Sequence, residues 1–161
     1  IAARMAPQRM LPTIAADPRV RVTTPQDLAV LYPACVAMYT EEVGVSPEND
    51  GGGGDLYRAR IQQLIGRGWS MASFDEHGVV FKAEVACVTP YAAQVQGVWV
   101  RPDRRGEGLA TSGMAAVVSH IISSGTAPVV SLYVNEWNAP ARAAYARVGF
   151  EQTATFATVM F

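Results

Sequence analysis

The chain has 161 residues, a formal net charge of -1 at pH 7, 50% hydrophobic residues and 17% charged ones. These values fit one domain with a sizeable core and exclude a disordered chain. The near-neutral charge leaves no electrostatic footprint for nucleic acid or an anionic membrane, and no apolar run is long enough to span a bilayer, so neither partner is expected.

Residues 1–19 read as a linker or N-terminal extension punctuated by Pro7, Pro12 and Pro18. They lack the continuous apolar core of a secretory leader. The chain starts at Ile1 rather than Met, as a fragment or the tail of a longer protein does. A short strand over 20–23 precedes a helix start, with Thr24 as N-cap, Pro25 at the first helical position and Asp27 in the first turn. Leu28, Leu31, Cys35 and Met38 then recur at three-to-four spacing as a core-facing stripe, which Pro33 is expected to kink or divide. The segment 44–54, with glycines at 51 to 54, holds no regular element and reads as a connector or a lid over a substrate site. A second helix over 55–67 turns Tyr57, Ile61, Leu64 and Ile65 inward.

Three strand signals follow, over 69–74, 79–89 and 92–100, the first two joined by an Asp75-Glu76-His77-Gly78 hairpin turn. A third helix over 106–123 buries Ala110, Met114, Val117, Val118 and Ile121. The nearly all-apolar strand over 129–135 belongs in the middle of a sheet. Asn138 caps a fourth helix whose inward positions are Ala141, Ala144, Tyr145 and Val148, Gly149 ends it, and a last strand region covers 150–161. The order β-α-α-β-β-β-α-β-α-β is a mixed α/β layer with helices over a sheet, unlike a doubly wound dinucleotide fold. Cys35 and Cys87 are far apart in apolar surroundings and read as buried free thiols of a cytoplasmic protein. His77 and His120 have no third ligand in sight, so no metal is expected.

The chemistry gathers between Gln96 and Ala110. An apolar strand ends at Arg101-Pro102, two arginines follow, and Gly106 and Gly108 open a helix. Unpaired backbone N–H groups at such a helix start, with the positive end of its dipole, bind a phosphate or pyrophosphate. There is no Gly-Lys-Ser/Thr after the turn and no third glycine with a later ribose-binding acid, which disfavours a nucleotide-binding module.

Val98-Trp99-Val100-Arg101-Pro102 with Arg105-Gly106-Glu107-Gly108-Leu109-Ala110 resembles the acyl-CoA signature Q/R-x-x-G-x-G/A of the GNAT N-acetyltransferase superfamily. The run from Asn138 through Tyr145 to Gly149-Phe150 resembles its second signature, an Asn, a Tyr seven residues later and a Gly-Phe. The resemblance implies a GNAT-like α/β (α+β) fold over 20–161, a central mixed but mostly antiparallel sheet flanked by about four helices, and a bacterial N-acetyltransferase using acetyl-CoA as co-substrate without a metal. It implies that backbone amides of Gly106, Glu107, Gly108, Leu109, Ala110 and Thr111 cradle the CoA pyrophosphate, with Arg105 beside them. It implies that Val98, Trp99 and Val100 pair with the pantetheine arm where two strands splay apart, with Gly97 marking a bulge. Asn138 would touch the pantetheine as well as cap its helix, and Tyr145 would be the general acid for the departing thiolate.

The base departs from the family pattern, since the two positions that often carry a glutamate hold Gln94 and Tyr133. Three candidates stand in: Glu84, with Lys82 nearby as a surface ion-pair partner; water relayed through Tyr133 or Gln94; and the C-terminal carboxylate of Phe161. Trp69 and Trp99 read as packing residues, and Trp137 as packing or as a wall of the acceptor site. The amine acceptor is not readable. Family members that carry two such domains in tandem, and homodimers, make a second domain or a second copy the expected protein partner. The rival to an enzyme is a CoA-binding domain that regulates or scaffolds without catalysis.

Overall fold

The computed structural model describes residues 2–5, 12–49 and 51–157. Its strands are β1 (Ala2–Met5), β2 (Arg21–Val22), β3 (Ser70–Asp75), β4 (Gly78–Val88), β5 (Ala93–Val100), β6 (Val130–Tyr133) and β7 (Glu151–Ala154), and its helices are α1 (Leu28–Val43), α2 (Gly53–Gly66), α3 (Leu109–Ser123) and α4 (Ala139–Val148). They build one seven-stranded sheet in the order β2-β3-β4-β5-β6-β1-β7. The pairs from β2 to β5 are antiparallel, β5 and β6 are parallel, and β1 runs antiparallel to both β6 and β7. The mixed, mostly antiparallel sheet matches the expected fold class.

Alternation along the strands sends side chains to two separate cores. On one face Leu31, Cys35 and Met38 of α1 and Ile61, Leu64 and Ile65 of α2 pack on Ala72, Val79 and Trp99. On the other, Met114, Val117, Val118 and Ile121 of α3 and Tyr145 and Val148 of α4 cover Phe81, Ala83, Val85 and Val95. Covering both faces leaves β4 nearly all buried, from Val79 to Val85. Gly113 of α3 is the contact point of this layer, because a Cβ there would sit 2.6 Å from the Phe81 ring.

The structure differs from the sequence reading at four places. The segment taken as a linker contributes β1, whose backbone completes ladders with β6 and β7; its far end is also docked, since the Asp17 N–H donates to Ser112 O at 3.0 Å. Pro33 does not divide α1, which runs as one helix through it; five buried side chains hold the helix where one backbone bond is lost. The glycine tract yields its last two residues to the start of α2. Cys35 is buried, but Cys87 is exposed. An irregularity between Val85 and Cys87 puts one extra residue into β4, so Cys87 opposes Gln94 instead of following Val85 into the core. Among the described residues, no helix is long and apolar enough to cross a membrane.

Candidate active site

The site begins with an unequal pairing of β5. Toward β4 the strand is paired from Ala93 to Val100. Toward β6 it is paired only at Ala93, Gln94 and Val95, opposite Val130, Ser131 and Leu132. Beyond Val95 the two parallel strands part, and Val98, Trp99 and Val100 have no β6 partner. The cause is visible in the register: Lys82 faces Trp99 and Glu84 faces Gln96, so Gly97 and Val98 together oppose Ala83. Gly97 sits at φ +60°, the left-handed conformation that such a bulge favours in glycine. An open strand edge of this kind accepts an extended, amide-bearing ligand.

The open edge leads to the N-terminus of α3. A 3-10 turn over Pro102–Arg104 brings the chain round, and Gly108, at φ +77°, is the N-cap without a side-chain cap. The N–H groups of Gly106, Glu107 and Gly108 have no acceptor among the described residues, and those of Leu109 and Ala110 belong to the unpaired first helical turn. The Thr111 N–H is already committed, donating to Gly108 O at 3.1 Å. Five adjacent donors at the positive end of a helix are an arrangement suited to an anion.

Paired charges fix this loop. Arg101 grips Asp75 in a two-point pair at 2.8 and 2.7 Å, and Arg104 joins Asp75 at 3.3 Å and Glu107 at 2.9 Å. The Arg101 guanidinium holds the Asp75 carboxyl well below the usual carboxylate range. Arg104 thus ties the loop to the β3–β4 hairpin. Arg105 donates to Val100 O at 2.9 Å and to Glu41 Oε2 at 2.8 Å. Both partners of the latter pair are nearly half exposed, and such pairs are worth about 0–1 kcal/mol, so an anion can draw Arg105 away from Glu41.

Tyr145 lies on the α4 side of the sheet, 8% exposed and edge-on to Phe150. Burial, with a smaller contribution from the charge of Glu42, pushes its phenol up to about 12, so it is protonated throughout the neutral range. It lines a cavity of about 340 Å³ with Val134, Arg142 and Phe150. Asn138 caps α4 as the sequence predicts, its Oδ1 accepting from the Ala141 N–H at 3.2 Å.

The other face of the opening is polar at its floor. Lys82 and Glu84, read from sequence as a surface pair, are 0% and 4% exposed and form a buried ion pair at 2.9 Å. The alternation of β4 sends both toward α1, under Cys35 and Met38, and α1 shields them from water. Lys82 Nζ also donates to Gly97 O at 2.9 Å, which ties the pair to the bulge. Tyr133 is exposed and packs edge-on against Phe156, and Trp137 is 79% exposed next to α4. Gln94 accepts only a long contact from Cys87 at 3.9 Å. Phe161 lies outside the described residues. Sequence reading missed Glu41, which bridges Trp99 Nε1 at 3.3 Å and Arg105, and Glu42 beside it. The signal was present: the stripe Leu31, Cys35, Met38 reaches Glu42 at the next step of four.

A family model described as FR47-like protein matches residues 77–159, just over half of the chain. Among solved structures, an acetyltransferase of the GNAT family from Colwellia psychrerythraea aligns over 93% of this chain with a TM-score of 0.68 and 14% identity. The chain spans half the length of that protein. A predicted acetyltransferase from Clostridium acetobutylicum, solved with acetyl-CoA, aligns over 88% of this chain and 94% of its own at a TM-score of 0.65 and 16% identity. The aminoglycoside N-acetyltransferase AAC(6')-Iy in complex with CoA aligns over 88% and 93% at 0.68 and 14%. At these identities the likeness is one of fold. No curated protein matches the sequence.

Proposed function

Since the chain belongs to the FR47-like family, and with it to the GNAT acyltransferases, we propose that it transfers an acetyl group from acetyl-CoA to a primary amine by direct attack in a ternary complex. The observation that carries this reading is the parting of β5 from β6 after Val95 and Leu132, with the α3 donors beyond it and Tyr145 in the same core cluster as Val95 and Leu132. In this reading the pyrophosphate lies on the N–H groups of Gly106, Glu107, Gly108, Leu109 and Ala110, at the turn that Thr111 closes. Arg105 exchanges Glu41 for a pyrophosphate oxygen, a stronger charge-assisted partner. The pantetheine amides pair with the open edge at Val98, Trp99 and Val100 and reach Asn138. A backbone N–H at the bulge polarises the thioester carbonyl, so charge developing on its oxygen meets a fixed donor.

Tyr145 gives its proton to the leaving sulfur. A free thiol titrates near 8.5, below the raised phenol. The thiolate is released into the same dry environment, however, which raises its own proton affinity and narrows the mismatch. Placing the amine against the held thioester supplies much of the remaining rate.

The test is calorimetric titration with acetyl-CoA, followed by thiol release with spermidine, kanamycin and an alanyl tripeptide as acceptors. Binding with turnover on at least one amine is expected. Binding without turnover on any of them favours a CoA-binding regulatory domain, and absence of binding defeats both readings.

A further inference from the structure

The transfer proposed above needs a group to take the proton that the attacking amine loses, and the obvious positions do not supply one. Gln94 is an amide, and Tyr133 is turned to solvent against Phe156. Glu84 is a carboxylate, but its Oε1 is held by Lys82 at 2.9 Å and approached by Cys35 Sγ at 3.9 Å under α1.

The helix above that pair offers another group. Leu31, Cys35, Met38 and Glu42 are spaced by four, three and four residues, so they share one face of α1. The contacts of this face are known at two steps: Cys35 reaches Glu84, and Met38 Sδ lies 3.3 Å from Lys82 Nζ. Glu42 is the next step, two residues before the C-cap Gly44. It therefore overhangs the groove floor formed by Lys82, Glu84 and the Gly97 bulge, where the open edge begins. Its neighbour Glu41 is held by Trp99 and Arg105, whereas Glu42 has no hydrogen bond or ion pair among the described residues.

The electrostatic setting agrees with that placement. Desolvation raises the Glu42 carboxyl above the ordinary range; Lys82 of β4 opposes the rise, and Glu84 of β4 and Glu41 of its own helix add to it. From the facing elements, Tyr57 of α2 and Tyr145 of α4 both feel its negative charge. Glu42 thus stands within electrostatic reach of the phenol proposed as the acid, on the side of the sheet opposite α4.

We propose that Glu42 is the general base of the transfer, its carboxylate taking the proton of the acceptor amine as the amine nitrogen attacks the thioester carbonyl. This role rests on the transferase reading. In the step, the N–C bond forms and the C–S bond breaks, leaving its electron pair on sulfur. The amine proton goes to Glu42, and the Tyr145 proton goes to sulfur. Solvent then carries the proton from Glu42 to the Tyr145 phenolate, so the products are the amide and the free thiol, with both residues restored.

Glu42→Gln keeps size and polarity at a water-accessible position and removes only the basic oxygen. With acetyl-CoA and whichever of spermidine, kanamycin and the alanyl tripeptide the wild-type chain acetylates, kcat at pH 7 is expected to fall by about 10²–10³. Acetyl-CoA affinity is expected to stay unchanged by calorimetry, and Glu42→Asp to recover part of the rate. The decisive readout is the pH profile of kcat/KM. The wild type should show a rising limb set by a carboxyl above the usual range, and the Gln variant should lose that limb, so that its deficit is small below the limb and grows as pH rises through it. A deficit of the same factor at every pH, or no deficit, overturns the role of Glu42 and leaves the transferase reading standing. A wild-type chain that binds acetyl-CoA and acetylates none of the three probes overturns the transferase reading and the role with it.

Discussion

The two edges of β5 are built from the same eight residues and end differently. The edge facing β4 is paired along its length, with the bulge at Gly97 absorbed and stabilised by Lys82 from below. The edge facing β6 is paired for three residues and then abandoned. Unpaired backbone groups inside a domain cost about as much as lost hydrogen bonds, and the proposed function satisfies this open edge with the pantetheine amides. The closed edge makes the open one possible. The bulge lies just beyond the last β5–β6 pair, and Lys82 of the buried ion pair holds its Gly97 carbonyl at 2.9 Å.

The largest test of this division strikes the open side. In the proposed mechanism Tyr145→Phe removes the proton for the leaving sulfur and little else, because the ring keeps its packing on Phe150. A fall in kcat of about 10²–10⁴ with acetyl-CoA affinity nearly unchanged is expected, measured by steady-state turnover and calorimetry. An unchanged kcat would remove Tyr145 from the mechanism. On the closed side, Lys82→Met leaves Glu84 buried without its counter-ion, and stability should fall by about 3–5 kcal/mol in urea denaturation. Adding Glu84→Gln to that variant should restore most of the loss. A single Lys82→Met chain as stable as wild type would show that the bulge needs no support from beneath.

These two sides were unequally legible in the sequence. The glycine turn before α3, the α4 cap at Asn138 and the inward phase of Tyr145 are local: each is set by residues within one or two turns of itself, and only the first is displaced, with α3 starting at Leu109 rather than 106 and the Thr111 N–H already bonded. The features that failed are set from a distance. Lys82 and Glu84 look like a surface pair until α1, more than forty residues upstream, covers them. Cys87 leaves the core because one extra residue at Ala86 reverses the alternation, and nothing in that stretch announces it. β1 exists only through ladders to strands near the other end of the chain. Glu42 falls between these cases. The helical stripe that ends on it was readable, but its meaning depends on what lies beneath Met38.

A pH titration probes the open side without changing any contact. The Tyr145 phenol titrates at about 10 when unfolded and is raised to about 12 in the fold. A raised pKa makes the protonated form the stabilised one. Its contribution is whole below pH 10 and is lost as pH climbs toward 12, amounting to about 2–3 kcal/mol by the end of that window. Thermal melts should therefore fall between pH 10 and 12 more steeply for wild type than for Tyr145→Phe, whose ring has nothing to ionise. Parallel curves would mean that the phenol is better solvated than its burial indicates.

The smallest expected effect is the one that joins the two edges. Gly97→Ala places a Cβ at a φ of +60°, where an L residue loses about 1–2 kcal/mol. The same Cβ lies 3.2 Å from Glu84 Cδ and Oε2 and from Lys82 Nζ, so it presses on the ion pair as well as straining the bulge. If the bulge parts β5 from β6, relief of this strain must move the open edge. The variant should then weaken acetyl-CoA binding, while the stability loss is at least the roughly 1–2 kcal/mol set by the backbone. Denaturation and calorimetry on the same sample separate the two quantities. A stability loss of that size with unaltered acetyl-CoA affinity would show that the open edge does not depend on the bulge, and that the two sides of β5 are independent after all.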